Sequence, residues 1–291
     1  MIPIQRPTRQ SLYGIIIYST LVLMSGWIGR WIDAFTGNTP GHGPGITLWI
    51  FAPLGISFLI RAFSTDNWGD LGIKPAFRKN VSWYMVSIFI LPVCFSVILF
   101  SGYISNTTCS DPETPNKAAM FLKAMLVLSG PQVLQNTFEE SGFRGYLTPK
   151  IKALGWHPMA NHLAVGAVWG LWHLPYLRSI TPYTTMHFST LAPCFLAGAI
   201  ALSIIYGEIR VRTGSLWPAI IMQTTGGMFA GALMTNNMII VQERWECLFN
   251  PVMEGGAAII LFLIAGIGIC LLRNRSYEMT DNLNQRSNYH K

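Results

Sequence analysis

The chain alternates long apolar runs with short polar breaks, and each run predicts a helix of membrane-crossing length. The first run, 12–28, follows a polar lead that carries Arg6 and Arg9. That pairing resembles a signal peptide, but the run is long and lacks a small-x-small cleavage site, so a retained first span is expected. The run 46–60 is short and contains Pro53, and crosses only by borrowing flanking residues. Residues 81–104 are a clear span. Residues 117–128 are apolar but end at Ser129-Gly130-Pro131, a breaker, which predicts a lead-in helix and then a span over about 131–150. Further spans are predicted over 158–175, opened by a proline at a favoured first-turn position, then 189–208, 216–240 and 255–272. The end, 276–291, is polar and expected to be a disordered cytoplasmic tail.

Eight crossings make an all-α, polytopic membrane bundle, one transmembrane domain over 1–275. With the N-terminus inside, Arg30, Lys117, Lys123, Arg178 and Arg244 fall outside, and the other 15 of the 20 Lys and Arg fall on the cytoplasmic side. That bias supports the frame and puts both termini in the cytoplasm. The membrane is the plasma or inner membrane in a prokaryote and the endoplasmic reticulum in a eukaryote. Gly166-xxx-Gly170 and Gly227-xxx-Gly231 have the spacing for close helix approach.

Composition agrees. Of 291 residues, 51% are hydrophobic and 11% charged, far from the roughly 25% charged usual in soluble domains. The net charge of +7 therefore reads as topology rather than nucleic-acid binding, for which no basic module is visible. The five cysteines show no CxxC or Cys/His spacing. Cys94, Cys194 and Cys270 fit packing roles, while Cys109 and Cys247 fall in loops on one side and read as two unrelated free thiols, with pairing the alternative in an oxidising compartment.

Against this apolar background, Phe138-Glu139-Glu140-Ser141-Gly142-Phe143-Arg144-Gly145-Tyr146-Leu147 stands out. Charge at bilayer depth costs roughly 2.5–3.5 kcal/mol per group on insertion scales and usually marks function. On a helix, Glu140 and Arg144 share a face at ion-pair spacing, while Glu139 lies about 100° away. One acid is thus a structural anion and its neighbour is free for proton chemistry, or the cluster merely pins helices together. At about 1.5 Å per residue, Glu139 lies roughly 16 Å above Lys150, His173 roughly 18–22 Å above the start of its helix, and Gln223 roughly 14 Å above Gly214. The three levels agree, so these groups can meet near the midplane. His162 belongs near the inner interface, and Glu208 reads as an interfacial partner of Arg210 and Arg212. A glutamate and a histidine sharing one water can polarise it for attack on a carbonyl. Zinc needs three protein ligands, and no HExxH is present, so no cofactor or metal is expected.

These residues resemble the CAAX-protease and bacteriocin-processing (CPBP or Abi) family, the type II CAAX prenyl endopeptidase-like intramembrane glutamic proteases. The first motif, two glutamates, three residues and an arginine with Phe-Arg-Gly-x-Leu, matches residues 139–147. The second, an aromatic residue and a histidine four residues on, matches Trp169 and His173. Thr213-Gly214-Ser215-Leu216-Trp217-Pro218-Ala219-Ile220-Ile221 is similar to the lead-in of the last motif, and Leu71-Gly72-Ile73-Lys74 also fits. The resemblance covers about 70–240. It implies a metal-independent endopeptidase acting on a membrane-associated or lipidated peptide in a midplane cavity open to the cytoplasmic side. It also implies Glu139 and His173 as water activators, with Glu140, Arg144 and Trp169 in support. The family's last motif supplies a histidine and, four residues on, an asparagine, both thought to hold the oxyanion. Gln223 and Gly227 stand at those positions. An amide at Gln223 can still donate, Gly227 offers no side chain, and Thr224, Thr225 and Asn236 are nearby polar substitutes. The alternatives are a catalytically impaired relative that binds a peptide or membrane-protein partner, and a small-solute transporter.

Overall fold

In a bilayer every backbone N–H and C=O must pair within its own segment, so apolar runs of this length become helices. A computed structural model describes residues 9–64, 68–110, 116–234 and 238–289. The helices are α1 (Arg9–Phe35), α2 (Pro44–Phe63), α3 (Phe77–Ile104), α4 (Lys117–Gly142), α5 (Thr148–Ala153), α6 (Pro158–His173), α7 (Leu177–Ile180), α8 (Phe188–Thr213), α9 (Trp217–Met234), α10 (Glu246–Phe249) and α11 (Gly256–Tyr289). Two short strands, β1 (Thr108–Cys109) and β2 (Ile240–Val241), pair antiparallel. They tie the loop after α3 to the loop after α9, which places both loops at one end of the bundle.

The all-α membrane architecture is as expected, with differences of detail. Among the described residues, five helical segments are long and apolar enough to cross a membrane: 12–35, 44–63, 77–104, 117–153 and 188–213, with 256–272 a shorter apolar helix. The expected eight included α6 and α9. These two are shorter or more polar because they are walled in by protein, and they carry the histidine and the glutamine of the site. No break occurs at residues 129–131, because α4 runs through Pro131. A proline is tolerated in a membrane helix where neighbours satisfy the freed carbonyl. The expected tail 276–291 continues α11 to Tyr289.

Packing explains which helices make the site. α4 lies between α2 and α9, α6 lies on α8, and α8 on α11. Lipid-facing positions of α3 and α11, such as Phe89, Phe100 and Ile264, are apolar and exposed. The interior is aromatic: Trp49 of α2 stacks on Trp172 of α6 at 4.3 Å between ring centroids. Its indole N–H donates to the Trp172 carbonyl at 2.9 Å. The two small-residue pairs sit at crossings. A Cβ on Gly166 would meet Ile200 Cα of α8 at 2.8 Å, and one on Gly231 would meet Leu128 of α4 at 2.9 Å. Of the cysteines, Cys247 has Cys194 as its sulfur neighbour, at 3.9 Å, and both are free thiols.

The α6–α8 crossing makes a prediction. Gly166→Val should destabilise by about 1–3 kcal/mol through overpacking. Melting in detergent would show a lower Tm than for the same substitution at Gly268, where a Cβ meets nothing.

Candidate active site

The end of α4 is irregular where the two acids lie. After Glu139-Glu140 the backbone opens into a π turn, Phe143–Leu147, a feature often found at functional sites. Gly142 makes the approach possible, because a Cβ there would strike Pro53 of α2 at 2.6 Å. Glu140 and Arg144 form the expected pair at 3.0 Å, both with no exposed side-chain surface. The Arg144 guanidinium lies 4.5 Å from the Trp169 ring centroid and 4.7 Å from that of Tyr206. Its Nε and Nη2 make no hydrogen bond among the described residues, so the ring faces stand in for acceptors.

Glu139, 1% exposed, is held separately by three donors on three side chains. Gln135 Nε2 donates to Oε1 at 3.0 Å. Trp169 Nε1 and Gln223 Nε2 donate to Oε2 at 3.3 and 2.7 Å. A carboxylate has about four acceptor positions, so one remains on Oε1. His173, 5% exposed, has Nδ1 2.8 Å from the Trp169 carbonyl. A carbonyl only accepts, so Nδ1 carries the proton and Nε2 is left as an acceptor. Both groups line one cavity of about 370 Å³, together with Gln132, Asn136, Gln223 and Gly227.

The cavity extends toward one end of the bundle. Its walls rise from Glu139 and Gln223 to residues 179–183 and 252–254, at the end opposite the basic connectors. The basic end is closed by charge and packing. Arg61 pairs with Asp70 at 2.7 Å, Arg210 donates to the carbonyls of Arg144 and Asp70, and Leu147 and Ile209 are fully buried. Glu208 differs from the expectation: its close partner is His162, at 2.9 Å, with Arg212 at 3.8 Å. Thr224 and Thr225 turn away from the acid, Thr224 to Asn136 and Thr225 to backbone carbonyls of α9 and α3. Asn236 lies outside the described residues. Among those residues, no three His, Cys, Asp or Glu side chains gather into a metal-holding group.

Two features escaped the motifs. Gln132, Gln135, Asn136 and Glu139 form a polar stripe at i, i+3, i+4 and i+7 on α4, a signal readable from spacing alone. Glu254, just before α11, is 1% exposed and lines the outer part of the cavity. Asn250 Nδ2 donates to it at 3.1 Å, and the Tyr183 phenol hydrogen-bonds to it. Burial pushes the Glu254 carboxyl up to about 7, opposed by its hydrogen bonds and aided by nearby Glu246.

Two stability predictions follow from these groups. Glu140→Ala or Arg144→Ala strands a buried charge and should cost about 3–5 kcal/mol, whereas replacing both by apolar residues should cost less. Thermal melting of the singles and the double checks the pair. For Glu254, the folded carboxyl keeps its proton between 4.5 and about 7 while the unfolded chain has lost it, so stability falls as pH rises through that window. Glu254→Gln should therefore melt above wild type at about pH 8, and the gap should close toward pH 4.5.

Comparison with known proteins bears on the same stretch. No curated protein matches the chain. One family model does, over residues 121–229, the span that holds Glu139, Glu140, Arg144, Trp169, His173, Gln223 and Gly227. Over that span the chain matches the Rce1-like family, described as type II CAAX prenyl endopeptidase Rce1-like.

Proposed function

We propose that this integral membrane protein is an endopeptidase in which Glu139 and His173 activate one water for attack on a peptide carbonyl. The observation that carries the reading is that Glu139 and His173 line one cavity and each keeps a free acceptor. These acceptors are the remaining lone pair of Glu139 Oε1 and the Nε2 of His173. A water has two protons to give, and these are two bases to receive them. As the water oxygen bonds to the carbonyl carbon, Glu139 takes its proton and the carbonyl electrons move onto oxygen. Collapse of that intermediate breaks the C–N bond, and the proton passes to the leaving amine. Trp169 fixes both bases, one through its indole N–H and the other through its carbonyl. Glu140 and Arg144 hold the π turn that aims Glu139. No metal or cofactor enters this scheme. The substrate class, a membrane-associated or lipidated peptide, is supported by the family description of a prenyl endopeptidase. The charge frame supports both termini on the cytoplasmic side, and the polar end 276–291 belongs with them.

A second reading is favoured by one observation: Gln223 spends an N–H on Glu139, and Gly227 has no side chain. A relative so altered would bind a peptide in the cavity without cleaving it.

Cleavage of a prenylated reporter peptide by the purified protein separates the two. Glu139→Ala and His173→Ala should each lower kcat by about 10²–10⁴-fold. Equal turnover by wild type and both variants would remove the pair from the chemistry. Binding of the peptide by wild type without cleavage would support the second reading.

A further inference from the structure

Hydrolysis by Glu139 and His173 leaves negative charge on the former carbonyl oxygen, and the water-activating pair does nothing for it. The cavity wall one turn beyond Gln223 is Gly227, yet the space there is filled. A Cβ at Gly227 would lie 2.6 Å from Gln132 Oε1, 3.0 Å from its Cδ and 3.4 Å from its Nε2. The Gln132 amide, arriving from α4, therefore stands where a side chain on residue 227 would begin.

Hydrogen bonds set the direction of that amide. Asn136 Nδ2 has two protons and two acceptors: Gln132 Oε1 at 3.3 Å and Thr224 Oγ1 at 3.1 Å. With Asn136 Nδ2 directed at it, turning the Gln132 amide alone would set two NH2 groups against each other, so its oxygen faces Asn136. Its Nε2 has no protein partner among the described residues, and Gln132 lines the cavity. The other amides are committed. Gln135 and Gln223 each give an N–H to Glu139, and Asn136 is fully used. Gln132 is the cavity amide with both N–H groups free.

We propose that Gln132 is a catalytic residue. Its free N–H and the second N–H of Gln223 hold the oxyanion, so the donor comes across from α4 rather than from a side chain at position 227. The inference rests on the peptidase reading above. It adds no proton transfer: the amide donates a hydrogen bond as charge develops, and an N–H already in place needs no reorganisation.

The test uses the full-length protein in detergent and the prenylated reporter peptide. Gln132→Leu should lower kcat by about 10²–10³-fold with little change in KM, the usual effect of removing one such donor. Gln132→Glu keeps the acceptor for Asn136 but its carboxylate has no N–H, and should lose as much. Gly227→Asn alone should also lose activity, because its Cβ displaces Gln132. Gln132→Ala combined with Gly227→Asn makes room for the new amide, and should exceed either single change. A second readout needs no turnover. A phosphinate isostere of the scissile bond should bind wild type more tightly than the parent peptide, and Gln132→Leu should abolish that preference. Unchanged kcat and retained phosphinate preference in Gln132→Leu would overturn the role of Gln132. If wild type still cleaved through Glu139 and His173, the peptidase reading would stand without it. A wild type that neither cleaves nor prefers the phosphinate would overturn the peptidase reading, and this role with it.

Discussion

One buried anion ties the bundle together. Glu139 takes donors from α4, α6 and α9 at once, through Gln135, Trp169 and Gln223. An unpaired carboxylate in an apolar interior is costly, and hydrogen bonds from neutral donors offset that cost only if each helix holds its place. The π turn, the close approach at Gly142 and the stacked guanidinium of Arg144 all serve that placement. The neighbouring acid shows the contrast. Glu140 meets its charge partner one turn along its own segment, at Arg144, and among the described residues no cation pairs with Glu139.

The same constraint explains why the site helices look least like membrane spans. α6 and α9 give up length or hydropathy because their neighbours, not lipid, surround them. Their polar groups pair within the protein. His162 meets Glu208, and Thr224 meets Asn136. In the proposed reaction this pre-arranged setting makes each remaining acceptor or donor effective, since the donors and acceptors are already held in place as charge develops.

Much of the site was legible because helical spacing is rigid. The Glu140–Arg144 pair follows from four residues of separation, and common depth brought Glu139, His173 and Gln223 to one level. What spacing could not carry was contact between helices. Gln132 falls in the same predicted span as Glu139 and shares its face, but no motif singles it out. Its position beside Gly227 depends on how closely α4 and α9 approach. Spacing pairs Glu208 with arginines on its own helix, and only packing reveals His162. The extent of the cavity is likewise a matter of packing. Basic residues told which end they occupied, but not that Arg61, Asp70 and Arg210 close that end. Glu254 comes from outside the motif region and reaches the cavity through a loop, which periodicity does not describe.

In the proposed reaction a water, not the Glu139 carboxylate itself, attacks the carbonyl. A single turnover in H2-18O, with enzyme in excess over reporter peptide, tests this directly by mass spectrometry of the new C-terminus. Activation of water by Glu139 and His173 puts the heavy oxygen into the product in the first turnover. A first product with only light oxygen, and heavy oxygen in the Glu139 carboxylate afterwards, would mean that Glu139 is the nucleophile and would contradict the account.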